Sequence, residues 1–270
     1  MRSIAFISVK GGVAKTTSVI NVAFGLGRLG LRVLVVDTDP QGNASHVLLR
    51  GEKPRRPTVA EVLTDDSDAE AAIVPTHFAG VDLLPADASL ADATAALTNE
   101  VGRERRLRLA LKAPAAGYDY VLVDTAPTRS ILTTNVLNFV AEVVVPITPG
   151  LFGVLGLAQI QEDVGQVRRY LENKTLRVGG ILLTQVEKNN VAVDVERQLR
   201  EMFGTLVFAT KIPRSIKIEE AHARHEPVTT YAPRTVGAIA YETLVTELSH
   251  GREANRDATA RRDHVAHDAA

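Results

Sequence analysis

Val9-Lys10-Gly11-Gly12-Val13-Ala14-Lys15-Thr16-Thr17 joins an apolar run to a helix-patterned stretch that ends near Gly30. A strand, a glycine loop and a helix in that order make a phosphate cradle. Glycines let backbone N–H groups close on phosphate oxygens, and the helix N-terminus adds a positive dipole. Lys15 neutralises the outer phosphates, and the Thr16 hydroxyl can ligate Mg²⁺. Val9 and Ala14 stand where the common pattern G-x-x-x-x-G-K-[ST] has its two glycines. The segment fits instead the form K-G-G-x-[G/A]-K-[ST]-[ST], whose additional lysine is Lys10. Ala14 is tolerable in this loop if its backbone is right-handed helical.

Two further groups of acids complement the loop. Val36-Asp37-Thr38-Asp39-Pro40-Gln41-Gly42-Asn43 closes an apolar run on two carboxylates. Asp39, at the start of a turn, could orient or deprotonate a water at a terminal phosphate, while Asp37, nearer the strand, is placed to support the lysine or the metal. Asp39-Pro40 equally fits simple turn initiation, and spacing alone does not choose. Tyr120-Val121-Leu122-Val123-Asp124-Thr125-Ala126-Pro127 is an apolar run ending on one carboxylate, the Walker B form, whose Asp124 would hold Mg²⁺ through a water. Three strand ends that each deliver the required group to one edge are stronger evidence than any one of them.

These residues need a scaffold that presents strand ends together. Apolar runs recur at Ile4–Val9, Val33–Val36, Val81–Leu84, Tyr120–Val123, Val143–Ile147, Gly180–Leu183 and Val207–Ile212, with helix-like spacing between most of them. Alternating strands and helices predict an α/β fold: one doubly wound, mostly parallel sheet with helices on both faces, ligands binding at the strands' carboxyl ends. The alternation continues to about residue 250 without a linker, so residues 1–250 read as one P-loop domain. Residues 251–270 read as a flexible polar tail.

Composition narrows the chemistry. The 270 residues include 31 Lys+Arg, 32 Asp+Glu and no Cys, giving a formal net charge of −1. Without Cys there is no disulfide framework, thiolate metal site, iron–sulfur cluster or cysteine nucleophile. No apolar run reaches the ~20 residues of a membrane span, and no secretory leader precedes the first strand. The neutral total hides segregation. Residues 1–60 carry nine basic and three acidic side chains, whereas residues 61–100 carry nine acidic and none basic. Basic faces are therefore compatible with a net charge near zero.

With KGGVAKTT, VVDTDPQGNAS, DYVLVDTAP, EVVVPITPGLFGVLGL, GGILLT at Gly179–Thr184, and Lys211-Ile212-Pro213-Arg214 followed by Glu220-Ala221, the chain resembles the ParA/MinD group of deviant Walker ATPases, and within it the ParA type. The resemblance spans most of residues 1–250. It implies ATP and Mg²⁺ as cofactors, held by Lys10, Gly11, Gly12, Val13, Ala14, Lys15, Thr16, Thr17, Asp37, Asp124 and the adenine-lining Pro213, with Thr16 and Asp124 serving the metal. Lys10 and Asp39 take the catalytic roles: Lys10 reaches the partner subunit's phosphates in an ATP-sandwich homodimer, and Asp39 is tied to hydrolysis. It further implies slow intrinsic turnover, stimulation by a ParB-like adaptor, and a cytoplasmic protein that associates with the nucleoid when ATP is bound.

Relatives that lack features present here, or need features absent here, set the expectation further. Iron–sulfur relatives need cysteines, and the guanine-reading [NT]-K-x-D sequence is missing at Thr184-Gln185-Val186-Glu187. A MinD-like protein binds membrane through an amphipathic C-terminal helix, for which the polar tail lacks an apolar face. ParA-type proteins bind double-stranded DNA without sequence preference. Candidates for that contact are Lys211, Arg214, Lys217, Arg224 and Arg234, with Arg168, Arg169, Arg197 and Arg200 also in the later chain. The chain starts at its first strand, so no N-terminal helix-turn-helix is expected. The alternatives are a MinD-like membrane-surface ATPase and a nucleotide-gated scaffold that never hydrolyses.

Overall fold

Continuously apolar runs become strands covered on both faces, because only such strands can bury every side chain. In the computed structural model, which describes residues 1–65, 67–171 and 173–249, every residue of β2 (Val33–Thr38), β5 (Tyr120–Thr125) and β6 (Glu142–Ile147) is buried. With β1 (Arg2–Phe6), β3 (Val74–Pro75), β4 (Val81–Leu84) and β7 (Arg177–Leu183) they form a seven-stranded sheet in the order β3-β4-β2-β5-β1-β6-β7. All neighbours are parallel except β3 and β4.

Alternate residues of each strand feed two cores. Ala5, Leu34, Val36, Val121 and Val123 pack on one face of the sheet, and Ile4, Phe6, Val33, Val35 and Leu122 on the other. The helices that matter for the site are α1 (Lys15–Arg28), α2 (Asn43–Leu48), α3 (Val59–Thr64) and α4 (Ala69–Ala72), then α5 (Ser89–Leu97), α6 (Arg106–Leu111), α7 (Ile131–Phe139) and α8 (Leu151–Tyr170). They are followed by α9 (Asn190–Phe203), α10 (Ile216–Ala223), α11 (Val228–Tyr231) and a terminal helix described over residues 236–249.

Register places the chemistry. Phe6 of β1 pairs with Asp124 of β5, and Asp37 of β2 pairs with the same Asp124, so two carboxylates stand side by side where central strands end beside the β1–α1 loop.

Two expectations need correction. Val207–Ile212 is not a continuous strand: it meets β7 through an isolated parallel bridge, Ile181 to Val207, and through the Phe208 and Ile212 amides on the Ile181 and Leu183 carbonyls, at 3.0 and 2.9 Å. The amides of Ala209 and Thr210 donate to the Glu247 carboxylate, at 2.7 and 3.0 Å, so those donors are lost to a sheet ladder. The first strand ends at Phe6 rather than Val9. β3 has only two residues, too short to leave a periodic signal, and its Pro75 sits where a proline is tolerated, on an edge. The proposed tail, residues 251–270, lies outside the described residues.

Candidate active site

Between β1 and α1 the chain makes the turn that the glycines foreshadow. Gly12 has φ +73°, and the residue before the helix, Ala14, is left-handed as well, with φ 59° and ψ 34°. The right-handed geometry that would have excused an alanine here is therefore absent, and holding Ala14 in this conformation costs about 1–2 kcal/mol. Its carbonyl accepts from the Ser18 amide at 3.0 Å, which starts the helix. The loop is held from the end of β7. Thr184 Oγ1 donates to the Val13 carbonyl at 3.1 Å, and Gln185 Nε2 donates to the Gly12 carbonyl at 2.9 Å.

The two loop lysines part company. Lys15 is buried, and burial lowers its pKa against the pull of Asp124 and Asp39. Lys10 is exposed and lies outside the lining of the cavity that Lys15 enters.

Asp124 is fully buried. Thr16 Oγ1 donates to its Oδ2 at 2.6 Å, while Oδ1 has no hydrogen-bond partner. Asp37 is also fully buried, and its oxygens accept from the Ser45 amide (2.9 Å), the Ser45 hydroxyl (2.7 Å) and the Asp39 amide (3.1 Å). Burial, together with the neighbouring acids, raises both carboxyls above their ordinary range. Through these contacts Asp37 organises the turn that carries Asp39, and it lies beside Asp124 in the strand register. Asp39 in turn is pinned by the Gln41 amide at 2.9 Å on its Oδ1.

A buried carboxylate oxygen left unpaired beside a threonine hydroxyl suits a divalent cation. Magnesium characteristically takes one or two protein oxygens and completes its shell with water and phosphate. Among the described residues no cluster of three His, Cys, Asp or Glu could hold a metal alone.

A cavity of about 550 Å³ opens over the loop, the size of a nucleotide site. Gly11, Gly12, Val13, Ala14, Lys15, Thr16, Thr17 and Asp39 line it. Ile212, Pro213, Ile218 and Tyr241 line it as well, among the polar Arg214, Ser215, Glu219 and His222, so the phosphate loop shares its cavity with apolar side chains suited to a base. The Ile212–Arg214 part of the lining is fixed by the Val186 amide on the Ile212 carbonyl (3.0 Å) and the Arg214 amide on the Val186 carbonyl (3.1 Å). Lys10, Asp37 and Asp124 are not part of the lining. Gln185 is a site residue that motif reasoning missed. Its only sequence signal is its place after the apolar run of β7, at the ligand edge of the sheet.

The basic candidates are largely neutralised. Lys211 pairs with Glu196 at 2.7 Å, Arg214 with Glu187 at 2.7 Å, and Lys217 with Glu220 at 2.6 Å. Arg200 binds Glu196 and the carbonyls of Val207 and Phe208, and Arg197 pairs with Asp194. Arg224 lies 5.8 Å over the Tyr231 ring, and Arg234, Arg168 and Arg169 are exposed.

Comparison with known proteins accords with this geometry. An AAA domain family model matches residues 1–178. The chromosome-partitioning ATPase Soj of Thermus thermophilus is 40% identical, over 92% of this chain and 95% of that protein. The chromosome partitioning protein ParA of Caulobacter vibrioides is 37% identical, over 96% and 98%. Among solved structures, cobyrinic acid a,c-diamide synthase of Mycobacterium smegmatis, with bound ATP analog and magnesium, superposes with a TM-score of 0.80 at 32% identity, covering 94% of this chain and 97% of that one. Similarity over nearly the whole length, joined to the two-lysine phosphate loop and its strand-end carboxylates, makes this chain a member of the ParA/Soj family of P-loop ATPases.

Proposed function

We propose that the protein hydrolyses ATP with Mg²⁺, forms an ATP-sandwich homodimer, binds DNA non-specifically in that state and positions or segregates a plasmid, a chromosome region or another cargo. A ParB-like adaptor discharges it by stimulating an intrinsically slow hydrolysis. Lys15 binds the phosphates, Thr16 with Asp124 behind it holds the cation, Asp39 orients the attacking water, and the Pro213 wall takes the adenine.

The observation that carries this reading is the divergence of the two loop lysines. Lys15 is spent inside the cavity, whereas Lys10 is exposed and free to reach phosphates bound by a second copy. The absence of cysteine argues against an amide-forming synthase, the activity named for the Mycobacterium smegmatis structure, if it drew its nitrogen through a thiolate nucleophile. Among the described residues no helix is long and apolar enough to cross a membrane.

The test is the molar mass in solution. The Asp39→Ala protein with Mg-ATP should sediment as a dimer of the 29.1 kDa chain and return to monomer with ADP. Adding Lys10→Ala should abolish the dimer while leaving ATP bound. A monomer in every nucleotide state, or a dimer indifferent to Lys10, would refute the sandwich.

A further inference from the structure

One surface beside the nucleotide cavity gathers cations and imidazoles, and its main contributors were not among the basic residues singled out in the later chain. α2 leaves the Asp39 turn and carries His46 in its last turn. α10 supplies Ile218, Glu219 and His222 to the cavity wall, and the chain reverses just beyond it at His225, with φ 57°. The rings of His46 and His225 meet edge to face, with centroids 4.6 Å apart. His225 Nδ1 is buried without a hydrogen-bond partner. Gly51 seals the pair: a Cβ placed on it would lie 3.5 Å from the His225 ring and 3.7 Å from His46.

Arg50 and Arg224, the chain neighbours of Gly51 and His225, are exposed at this junction. Beyond Gly51 the loop continues through Lys53, Arg55 and Arg56, so residues 50–56 hold four basic side chains and one acidic, Glu52. Arg56 is taken up by Glu61 and Asp87. Arg50, Lys53 and Arg55 are exposed and form no ion pair among the described residues. Glu52 and Glu226 are the acids adjoining in sequence. The contrast with Lys211, Arg214 and Lys217, each held by a glutamate, is the point: those charges are cancelled within the chain, and these are not.

Resting on the DNA-binding reading above, we propose that the loop Arg50–Arg55, together with His46, His225 and Arg224, is the surface that grips the phosphate backbone of duplex DNA. The unpaired Arg50, Lys53 and Arg55 around donor-capable imidazoles, with Arg224 over the Tyr231 ring beside them, suit a row of phosphodiesters, which rewards neutralisation by releasing counterions. α2 and α10 each join this surface to the nucleotide cavity, through Asn43 and through Ile218 and His222. A change in nucleotide would thus reach the helices from which both parts of this surface extend.

The experiment compares wild type, the triple variant Arg50→Ala/Lys53→Ala/Arg55→Ala, and a charge-matched control, Arg105→Ala/Arg108→Ala/Lys112→Ala, in ATP-dependent binding to duplex DNA across a salt series. Turnover without DNA and dimerisation on ATP serve as folding controls and should be unchanged in all three. The loop variant should bind at least about tenfold more weakly, and its slope of log affinity against log salt should be shallower by about 2–3, or roughly 0.9 per lost phosphate contact. The control should match wild type.

Wild type that binds DNA with affinity and slope equal to the loop variant would overturn this surface while sparing the DNA-binding reading, as would equal losses in variant and control. Wild type that binds DNA in no nucleotide state would overturn both. Binding to phosphatidylserine vesicles in place of DNA, lost in the loop variant, would overturn the assignment to DNA.

Discussion

Lys15 lies close to Asp124 and Asp39; burial disfavours the ionised form of Asp124, one oxygen of which has no donor. In the nucleotide-free protein the raised pKa values of Asp124 and Asp37 mean that the folded chain binds more protons than the unfolded one above the ordinary carboxylate value of 3.8. The sign follows: their contribution to stability is greatest at or below that value and declines as pH rises past it. Asp124→Asn removes one of these groups and keeps the shape. The expected outcome is a nucleotide-free melting temperature that falls less between about pH 5 and about pH 8 than that of wild type, alongside a loss of Mg²⁺-dependent ATP binding. An unchanged pH profile would mean that Asp124 is not the buried group inferred here. At this scale the sequence marked loop and strand-end residues that the structure brings together, Thr16 on Asp124 and Lys15 near both Asp124 and Asp39, because loop spacing and strand-end acids specify atom types. It did not reveal the left-handed backbone of Ala14, which depends on how Thr184 and Gln185 hold the loop, nor that Asp37 serves the Asp39 turn through Ser45.

Elements set the distances that side chains then refine. The β2–β5 register that aligns Asp37 with Asp124 follows from parallel pairing of two buried strands, and their apolar runs announced it. The turn after β2 is less forgiving. Gly42 has φ +60°, and a Cβ there would stand 2.8 Å from the Ala86 carbonyl oxygen. Gly42→Ala combines left-handed strain with a backbone clash, so a loss on the order of 3 kcal/mol in denaturant unfolding is expected, with slowed turnover because Asp39 rides on the same turn. Unaltered stability would show that this turn is not rigidly set. The apolar run 207–212 misled because Val, Phe and Ile suit a strand as well as a loop packed on a sheet edge. Glu247, about forty residues further on, captures the Ala209 and Thr210 amides, while those of Phe208 and Ile212 still bond β7, so the contact never becomes a continuous ladder.

For the whole molecule, a net charge of −1 conceals an N-terminal part with nine basic and three acidic side chains up to residue 60. Part of that excess lies in the phosphate loop and part in residues 50–56, on opposite sides of the Asp39 turn in sequence. Identity of 37–40% with partition proteins over nearly the whole chain agrees with the sheet order and the cavity. The central claim is that ATP converts this chain into a DNA-binding dimer, and the most direct measurement is duplex DNA affinity with ATP, with ADP and without nucleotide, each over a range of salt. The account predicts tight binding with Mg-ATP alone, weakening steeply and log-linearly with salt, as multiple phosphate contacts require. Affinity that is equal in all three nucleotide states, or absent with ATP, would contradict it.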